Sequence, residues 1–292
     1  MRLKLRVLVA VGAAALVLGG VGVAAFATAT PGTTTANGTA VASRPATPSQ
    51  SVVLTPAQVA ALPEAKYSAV IPDLIAYTAA SAPAKTTTAY TLHSDTAIYG
   101  QDHAAPVARF SANNFLGQPS VVVPVSFDGG WALVLTPARQ ALPSAAAGNA
   151  PAQTAGWVRA DALTKDHPLT QRIIVALEAQ TLTIEDTTGT KSASFKVGVG
   201  TSATPTPTGV TGYLQARYLD PAQGQRVHPI NLASLHSATA DEPYGGSDGG
   251  LIGLHYFKTN SGAISHGCIR LSKDAITAVN QLPLGTLISI TN

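Results

Sequence analysis

The 292-residue sequence predicts a mainly β protein with one helix in its C-terminal half, and three observations carry that expectation. It contains 26 Gly and 20 Pro, too few for collagen and too many for a helical bundle or coiled coil. Charged residues make up only 11 % and aromatics 5 %, so long solvated helices are not favoured. From about Tyr90 onward, short β-rich runs alternate with turn signals. The length allows about two domains and a targeting segment. The formal charge is +3, but Arg2, Lys4 and Arg6 account for all of it. Beyond residue 6 the balance is 15 basic against 15 acidic residues, so no basic surface for nucleic acid is implied. The single cysteine, Cys268, excludes an internal disulfide framework.

The N-terminus sets the compartment. Basic residues Arg2 to Arg6 precede Val7 to Phe26, twenty consecutive uncharged residues rich in Ala, Val, Leu and Gly. Twenty apolar residues match the ~20 that span a bilayer, while Ala25-Phe26-Ala27 offers an A-x-A cleavage site. Residues 1–27 therefore read as a signal peptide or a membrane anchor, with the remainder extracytoplasmic in either case. Membrane contact is expected only through residues 7–26. Residues 28–50 carry one charge, three prolines, seven threonines and no aromatic, the composition of a disordered linker.

Thr55-Pro56-Ala57-Gln58 combines an N-cap Thr, a Pro at the first helical position and a Gln at N3, which predicts a short helix ending by Pro63. Residues 64–80 read as further helix, making 51–88 a short helical connector. Strands are expected at Tyr90 to His93, Ala97 to Tyr99, Val107 to Phe110, Val121 to Phe127, Trp131 to Leu135 and Gly156 to Arg159, with a hairpin at Asp128-Gly129-Gly130. Trp131 and Trp157 are expected to fill the core of this part. Residues 137–154, rich in Ala and Pro, read as a long loop. Gly156-Trp157-Val158-Arg159 followed by Leu163 resembles the last strand of bacterial SH3-like barrels found in cell-wall proteins, and implies a small β domain over 89–165.

Residues 171–292 read as a second β-rich domain. Arg172 to Leu177, Thr181 to Glu185 and Ser192 to Val199 are strand candidates, Ser272 caps a helix through Leu282, and Thr286 to Ile290 closes the chain as a strand.

The chemistry concentrates in Ile252 to Leu271, which holds the only cysteine, two of the seven histidines and an arginine. If Ser265 to Leu271 is extended, His266, Cys268 and Arg270 share one face while Ile269 and Leu271 share the other. A thiol between two potentially cationic groups would have its thiolate, the nucleophilic form, stabilised. Gly267 would let the backbone approach a substrate closely, with consecutive N–H groups around it facing a developing oxyanion. His255 is the candidate general base. His236, nineteen residues further upstream in a polar segment, reads as a surface histidine, as do His93, His103, His167 and His228. Asp241, Glu242 and Asp248 belong to a Gly-rich loop that could also touch a substrate amine. Two other readings of Cys268 carry less weight: a buried structural thiol, and a metal site with His255 and His266, which Arg270 on the same face would repel. No metal or organic cofactor is called for.

At these residues the sequence resembles the L,D-transpeptidases, whose signature is a histidine followed downstream by Ser/Thr-His-Gly-Cys. Ser265-His266-Gly267-Cys268-Ile269-Arg270-Leu271 matches that motif, and Thr204-Pro205-Thr206-Pro207-Thr208-Gly209 looks like the Pro-Thr-Pro-x-Gly segment ahead of the family's active site. The resemblance covers roughly residues 171–292. It implies a β-rich L,D-transpeptidase catalytic domain with one C-terminal-half helix, preceded by the SH3-like β-barrel. It further implies that Cys268 is the acyl-accepting nucleophile and His255 the base, with Ser265, His266, Gly267 and Arg270 shaping the pocket. Only nine residues separate His255 from Ser265, fewer than in many members, so His236 and His266 stay open as alternative bases.

The implied reaction is acyl transfer on peptidoglycan stem peptides through a thioester, cross-linking third-position diamino acid residues. Carbapenem-type β-lactams are the implied inhibitors. With water as acceptor the same site would be an L,D-carboxypeptidase. A non-catalytic cell-wall-binding protein is the rival outside enzymes, and it leaves the reactive-thiol motif without a purpose. A papain-like peptidase would place the cysteine before the histidine, whereas here it follows.

Overall fold

The computed structural model describes residues 53–78, 86–245 and 248–292. The signal or anchor over 1–27 and the linker over 28–50 lie outside the described residues. Among the described residues, no helix is long and apolar enough to cross a membrane.

Helix α1 (Pro56–Ala60) starts where the sequence places it: Thr55 Oγ1 accepts from Gln58 N, and the Gln58 side chain accepts in return from Thr55 N. The helix does not resume over 64–78, because Pro63 and Pro72 each remove an N–H that a helix would need. That stretch instead forms turns and the two-residue strand β1 (Ile75–Ala76). Then follow β2 (Thr88–Leu92), β3 (Thr96–Tyr99), β4 (Pro106–Phe110), β5 (Pro124–Asp128), β6 (Trp131–Thr136), β7 (Thr154–Arg159) and β8 (Leu163–Pro168). Five of these make a sheet in the order β4-β3-β7-β6-β5, with β1 also on β7, while β2 and β8 form an antiparallel ribbon. The β5–β6 hairpin turns at Gly129-Gly130, as its sequence predicts.

Alternation along these strands decides which side is core. Ala132, Val134 and Val158 are buried with Ile98, Ala108 and Phe110. Trp131 and Trp157 therefore point to the opposite face, correcting their expected place in the core. Both are only half-buried, and the ring of His103 lies against them at centroid distances of 4.5 and 4.8 Å.

The second half consists of β9 (Gln171–Ala176), β10 (Thr181–Asp186), β11 (Lys191–Lys196), β12 (Gly198–Gly200), β13 (Val210–Asp220), β14 (Gln225–His236), β15 (Leu251–Tyr256), β16 (Gly262–Ser265), β17 (Ile269–Leu271), α2 (Lys273–Val279) and β18 (Leu287–Thr291). Its ten strands run in the order β11-β10-β9-β18-β13-β14-β15-β17-β12-β16, mixed because β9–β18, β15–β17 and β12–β16 are parallel. Ser272 caps α2 by accepting from Ala275 N, and Ala275, Ile276 and Val279 seal the core formed with Leu254, Ile269, Leu271 and Ile288.

Residues 50–292 form one compact unit, and the two sheets share buried structure. Val123, Leu135 and Ala155 of the first half pack with Tyr213 and Leu287 of the second. Beside them the Gln153 amide donates to the carbonyls of Thr136 and Thr154 and accepts from Ser234 Oγ at 2.6 Å. Both sheets are thus expected to unfold together. Leu135→Ala, at a fully buried position, should cost about 2–5 kcal/mol. Urea titration followed by Trp131/Trp157 fluorescence and by Cys268 labelling should give coincident curves, both moved by the substitution. A shift in the fluorescence curve alone would show that the halves unfold independently.

Candidate active site

Ile269 and Leu271 are completely buried, and they fix β17 between β15 and β12. The parallel register pairs Leu254 with Ile269 and His255 with Arg270. One position earlier, Cys268 lies opposite Gly253, whose N–H donates to Sγ at 3.4 Å, while Sγ–H reaches the Leu251 carbonyl at 3.8 Å. Cys268, Arg270, Gly253 and His255 thereby occupy one face of adjacent strands, and all four line a cavity of about 570 Å³.

The segment before Cys268 is not extended throughout, which corrects the simple alternation expected for 265–271. Residues 266–267 bend, and Gly267 takes φ +113°, a conformation a side chain rarely permits. Ser265 is buried and ties this turn: its Oγ accepts from Gly267 N at 3.2 Å and donates to the Cys268 carbonyl at 2.5 Å. From outside, Thr206 Oγ1 donates to the Gly267 carbonyl at 2.7 Å and accepts from Gly200 N at 2.9 Å. Thr204 Oγ1 and Thr201 N both donate to the Ser265 carbonyl. The Thr-Pro-Thr-Pro-Thr-Gly segment is the clamp on the turn that delivers the thiol. His266 is exposed at the cavity edge, with its ring 5.9 Å from that of Tyr244.

Burial pushes the Cys268 thiol up, and Asp248 adds to this, while the Gly253 N–H and then Arg270 oppose it. The thiolate stabilisation read from neighbouring cations is therefore outweighed by desolvation. Arg270 is partly engaged elsewhere, its guanidinium stacked over the Phe257 ring at 4.2 Å. Burial also lowers the His255 pKa, with Arg270 adding to the effect. The His255 Nδ1–H donates to the Tyr256 carbonyl at 3.1 Å, which leaves Nε2 with its lone pair. Sulfur and imidazole are both neutral near pH 7, with acid and base set on the same cavity wall.

The scan against family models matches residues 170–290 to YkuD, the L,D-transpeptidase catalytic domain. Residues 170–290 thus carry an L,D-transpeptidase catalytic domain. The L,D-transpeptidases are a family of acyltransferases that act on the cell wall, outside the cytoplasm. Among solved structures, the Ldtfm–avibactam carbamoyl enzyme is similar at 21 % identity and TM-score 0.29, covering 44 % of this chain and 52 % of that one. An L,D-transpeptidase from Stackebrandtia nassauensis is similar at 16 % and TM-score 0.31, covering 42 % and 56 %. One from Mycobacterium smegmatis is similar at 15 % and 0.35, covering 59 % and 91 %. The chain spans about half the length of the first two. No curated protein matches the chain.

The L,D-transpeptidase domain does not enclose the cavity alone. Tyr67 and Phe115, from the first half, line it with Tyr218, Asp248 and Tyr244, and the rings of Tyr67, Phe115 and Tyr218 follow one another at 5.2 and 5.9 Å. Sequence reasoning missed Tyr67, Phe115 and Tyr218, since no local motif marks them. His236 is not at the surface: it is 1 % exposed, and its Nε2–H donates to the Tyr67 carbonyl at 2.9 Å. The end of β14 is covered by the 64–70 segment, which a local reading of polar neighbours cannot reveal.

Two outcomes are expected. Burial lowers the His236 pKa to about 4 from 6.5, so the folded protein keeps this ring neutral while the unfolded chain protonates it. That contribution is complete above pH 6.5 and is lost as pH falls toward 4, a difference of roughly 3 kcal/mol. Denaturation at stepped pH should show a steeper loss between 6.5 and 4 in the parent than in His236→Gln. Thr206→Val removes the bond to the Gly267 carbonyl and the one from Gly200 N, and should slow iodoacetamide labelling of Cys268 by about 5-fold or more. An unchanged rate would show that the turn holds itself.

Proposed function

We propose that the protein is an L,D-transpeptidase that acts on peptidoglycan stem peptides through a thioester on Cys268. The observation that carries this reading is the juxtaposition of the Cys268 thiol and the His255 ring on one face of two parallel strands, lining one cavity within the family-matched segment.

His255 Nε2 takes the Sγ proton as sulfur attacks the carbonyl carbon of the third, diamino acid residue. The C–N bond to the terminal D-alanine breaks, and the same proton passes from the imidazole to the departing amine. A side-chain amine of a neighbouring stem then attacks the thioester, the C–S bond breaks, and the amine's proton returns by way of His255 to sulfur. The product is a cross-link between third residues. Ser265 and Gly267 shape the turn that presents the thiol, their own donors being taken by Ser265 Oγ and the Cys268 carbonyl, while His266 and Arg270 face the substrate from the cavity. Carbapenem-type β-lactams, which present a strained acyl group to the same sulfur, are expected inhibitors. Residues 1–27 hold the enzyme at the membrane or direct its secretion.

Mass spectrometry of the protein incubated with a tetrapeptide stem should show an acyl adduct on Cys268 with release of D-alanine, and Cys268→Ala should show neither. Transfer at near parental rate by the alanine variant would overturn the mechanism. His255→Ala should slow acylation by roughly 10²-fold or more. If that variant is nearly silent and His266→Ala is severe, the base is His266. Because burial raises the thiol pKa, labelling by iodoacetamide should still climb as pH passes 9. A plateau below pH 8 would mean a thiolate already formed.

A further inference from the structure

Outside the family-matched segment, the connection between β6 and β7 sends a guanidinium into the ten-stranded half. Arg139 is only 2 % exposed. Its backbone is held against the segment that carries Tyr67, with Arg139 N donating to Ala69 O and Arg139 O accepting from Ile71 N, both at 2.9 Å. Its Nη2 donates to the Asp241 carbonyl at 2.6 Å, and its Nε and Nη1 have no hydrogen-bond partner among the described residues. The Asp241, Glu242 and Asp248 carboxylates all lie within electrostatic reach of it.

The loop that Arg139 enters is shaped for it. At Gly250, φ is +63° and an added Cβ would stand 2.4 Å from Nη2, so only glycine allows this approach. Glu242 accepts from the N–H groups of Gly249 and Gly250 and lies beside Asp248, and Gly250 N donates to Asp248 Oδ1 at 2.9 Å. Ser144, from the same connection as Arg139, donates to the Asp241 carboxylate through both its N–H and its hydroxyl. The loop so held supplies Pro243, Tyr244 and Asp248 to the cavity wall. A buried guanidinium is costly unless acidic groups and hydrogen bonds compensate it, and without it the carboxylates around it would be left to repel one another.

We infer that Arg139 is a positioning residue of the active site, holding residues 241–245 and 248–250 so that Tyr244 and Asp248 wall the cavity over Cys268. The role rests on reading that cavity as the reaction site. Its test reports on the thiol whether or not transfer occurs, so the two can fail separately. In the full chain, Cys268 is labelled with iodoacetamide and with the bulkier N-phenylmaleimide, and the ratio of rates is compared between parent and variants. Arg139→Gln should raise the maleimide-to-iodoacetamide ratio about 5-fold or more, since the large reagent gains most when the wall gives way. Arg139→Lys, which keeps the charge but loses the planar fork, should fall between. Unfolding would also favour the larger reagent, so the ratio is read on variants whose urea curves show them folded under the labelling conditions. Ser144→Ala, at an exposed bond to the same loop, should raise the ratio about 2-fold and decides the matter if Arg139→Gln does not fold. Unchanged ratios in the folded variants, or both rates moving equally, would overturn the assignment.

Discussion

The parallel register of β15 and β17 is the constraint from which the site follows. Ile269 and Leu271 enter the core with Leu254, and that burial leaves Cys268, Arg270, Gly253 and His255 no choice of face. A slip of one residue would bury the cysteine and arginine and expose two large aliphatic side chains, so the hydrophobic core enforces the chemical geometry. The short β17 has little hydrogen bonding of its own to hold register. The turn before it is therefore tied by Ser265 from within and by Thr204 and Thr206 from the neighbouring loop. Backbone carbonyls of Ser265, Gly267 and Cys268 each receive a side-chain hydroxyl, an arrangement that leaves the sulfur aimed but not itself immobilised.

Desolvation decides the charge state of the pair. A cysteine flanked in sequence by histidine and arginine suggests a standing thiolate, but the folded protein turns His266 outward and lays Arg270 on Phe257. Sulfur is left with a single N–H donor, too little to offset its removal from water and the nearby Asp248. His255 is subject to the same penalty in the opposite sense. Both shifts favour the neutral forms, so near pH 7 the proton stays on sulfur and the imidazole stays uncharged. Such a thiol is also less prone to oxidation than an exposed thiolate would be.

What the sequence discloses is what local physics determines. The capping box at Thr55, the Ser272 cap, the Gly-Gly hairpin and the alternation of Ile269 and Leu271 all depend on residues within a few positions of one another, and the structure contains each. The longest hairpin, β13–β14, is not legible locally because Arg217, Asp220, His228 and Pro229 interrupt its apolar pattern. These residues are half-buried and find specific partners, as where the Arg217 guanidinium donates to Asn231 Oδ1 and to the carbonyls of Val279 and Leu282. His236 looks exposed for a similar reason: serines beside it suggest a surface, yet the covering segment lies 169 residues away in sequence. Trp131 and Trp157 erred the other way, since size favours burial but the pleat assigns the face.

Long-range placement also explains why the family-matched segment is not the whole site. Tyr213 and Leu287 need the apolar face of Leu135 and Ala155, and Ser234 needs the Gln153 carboxamide, so the edge of the ten-stranded sheet would be left with bare apolar area and unsatisfied polar groups if it stood alone. Once that contact exists, the segment running from Ala65 to Ile71 is brought over the end of β14. His236 must then be buried, Tyr67 must face Tyr218, and Arg139 must meet the acidic loop. Each contact satisfies groups that the previous one took out of water. The first sheet thus acts on the cavity through packing as much as through the side chains it lends, and the residues best placed to tune what the thiol can reach lie more than a hundred positions before it.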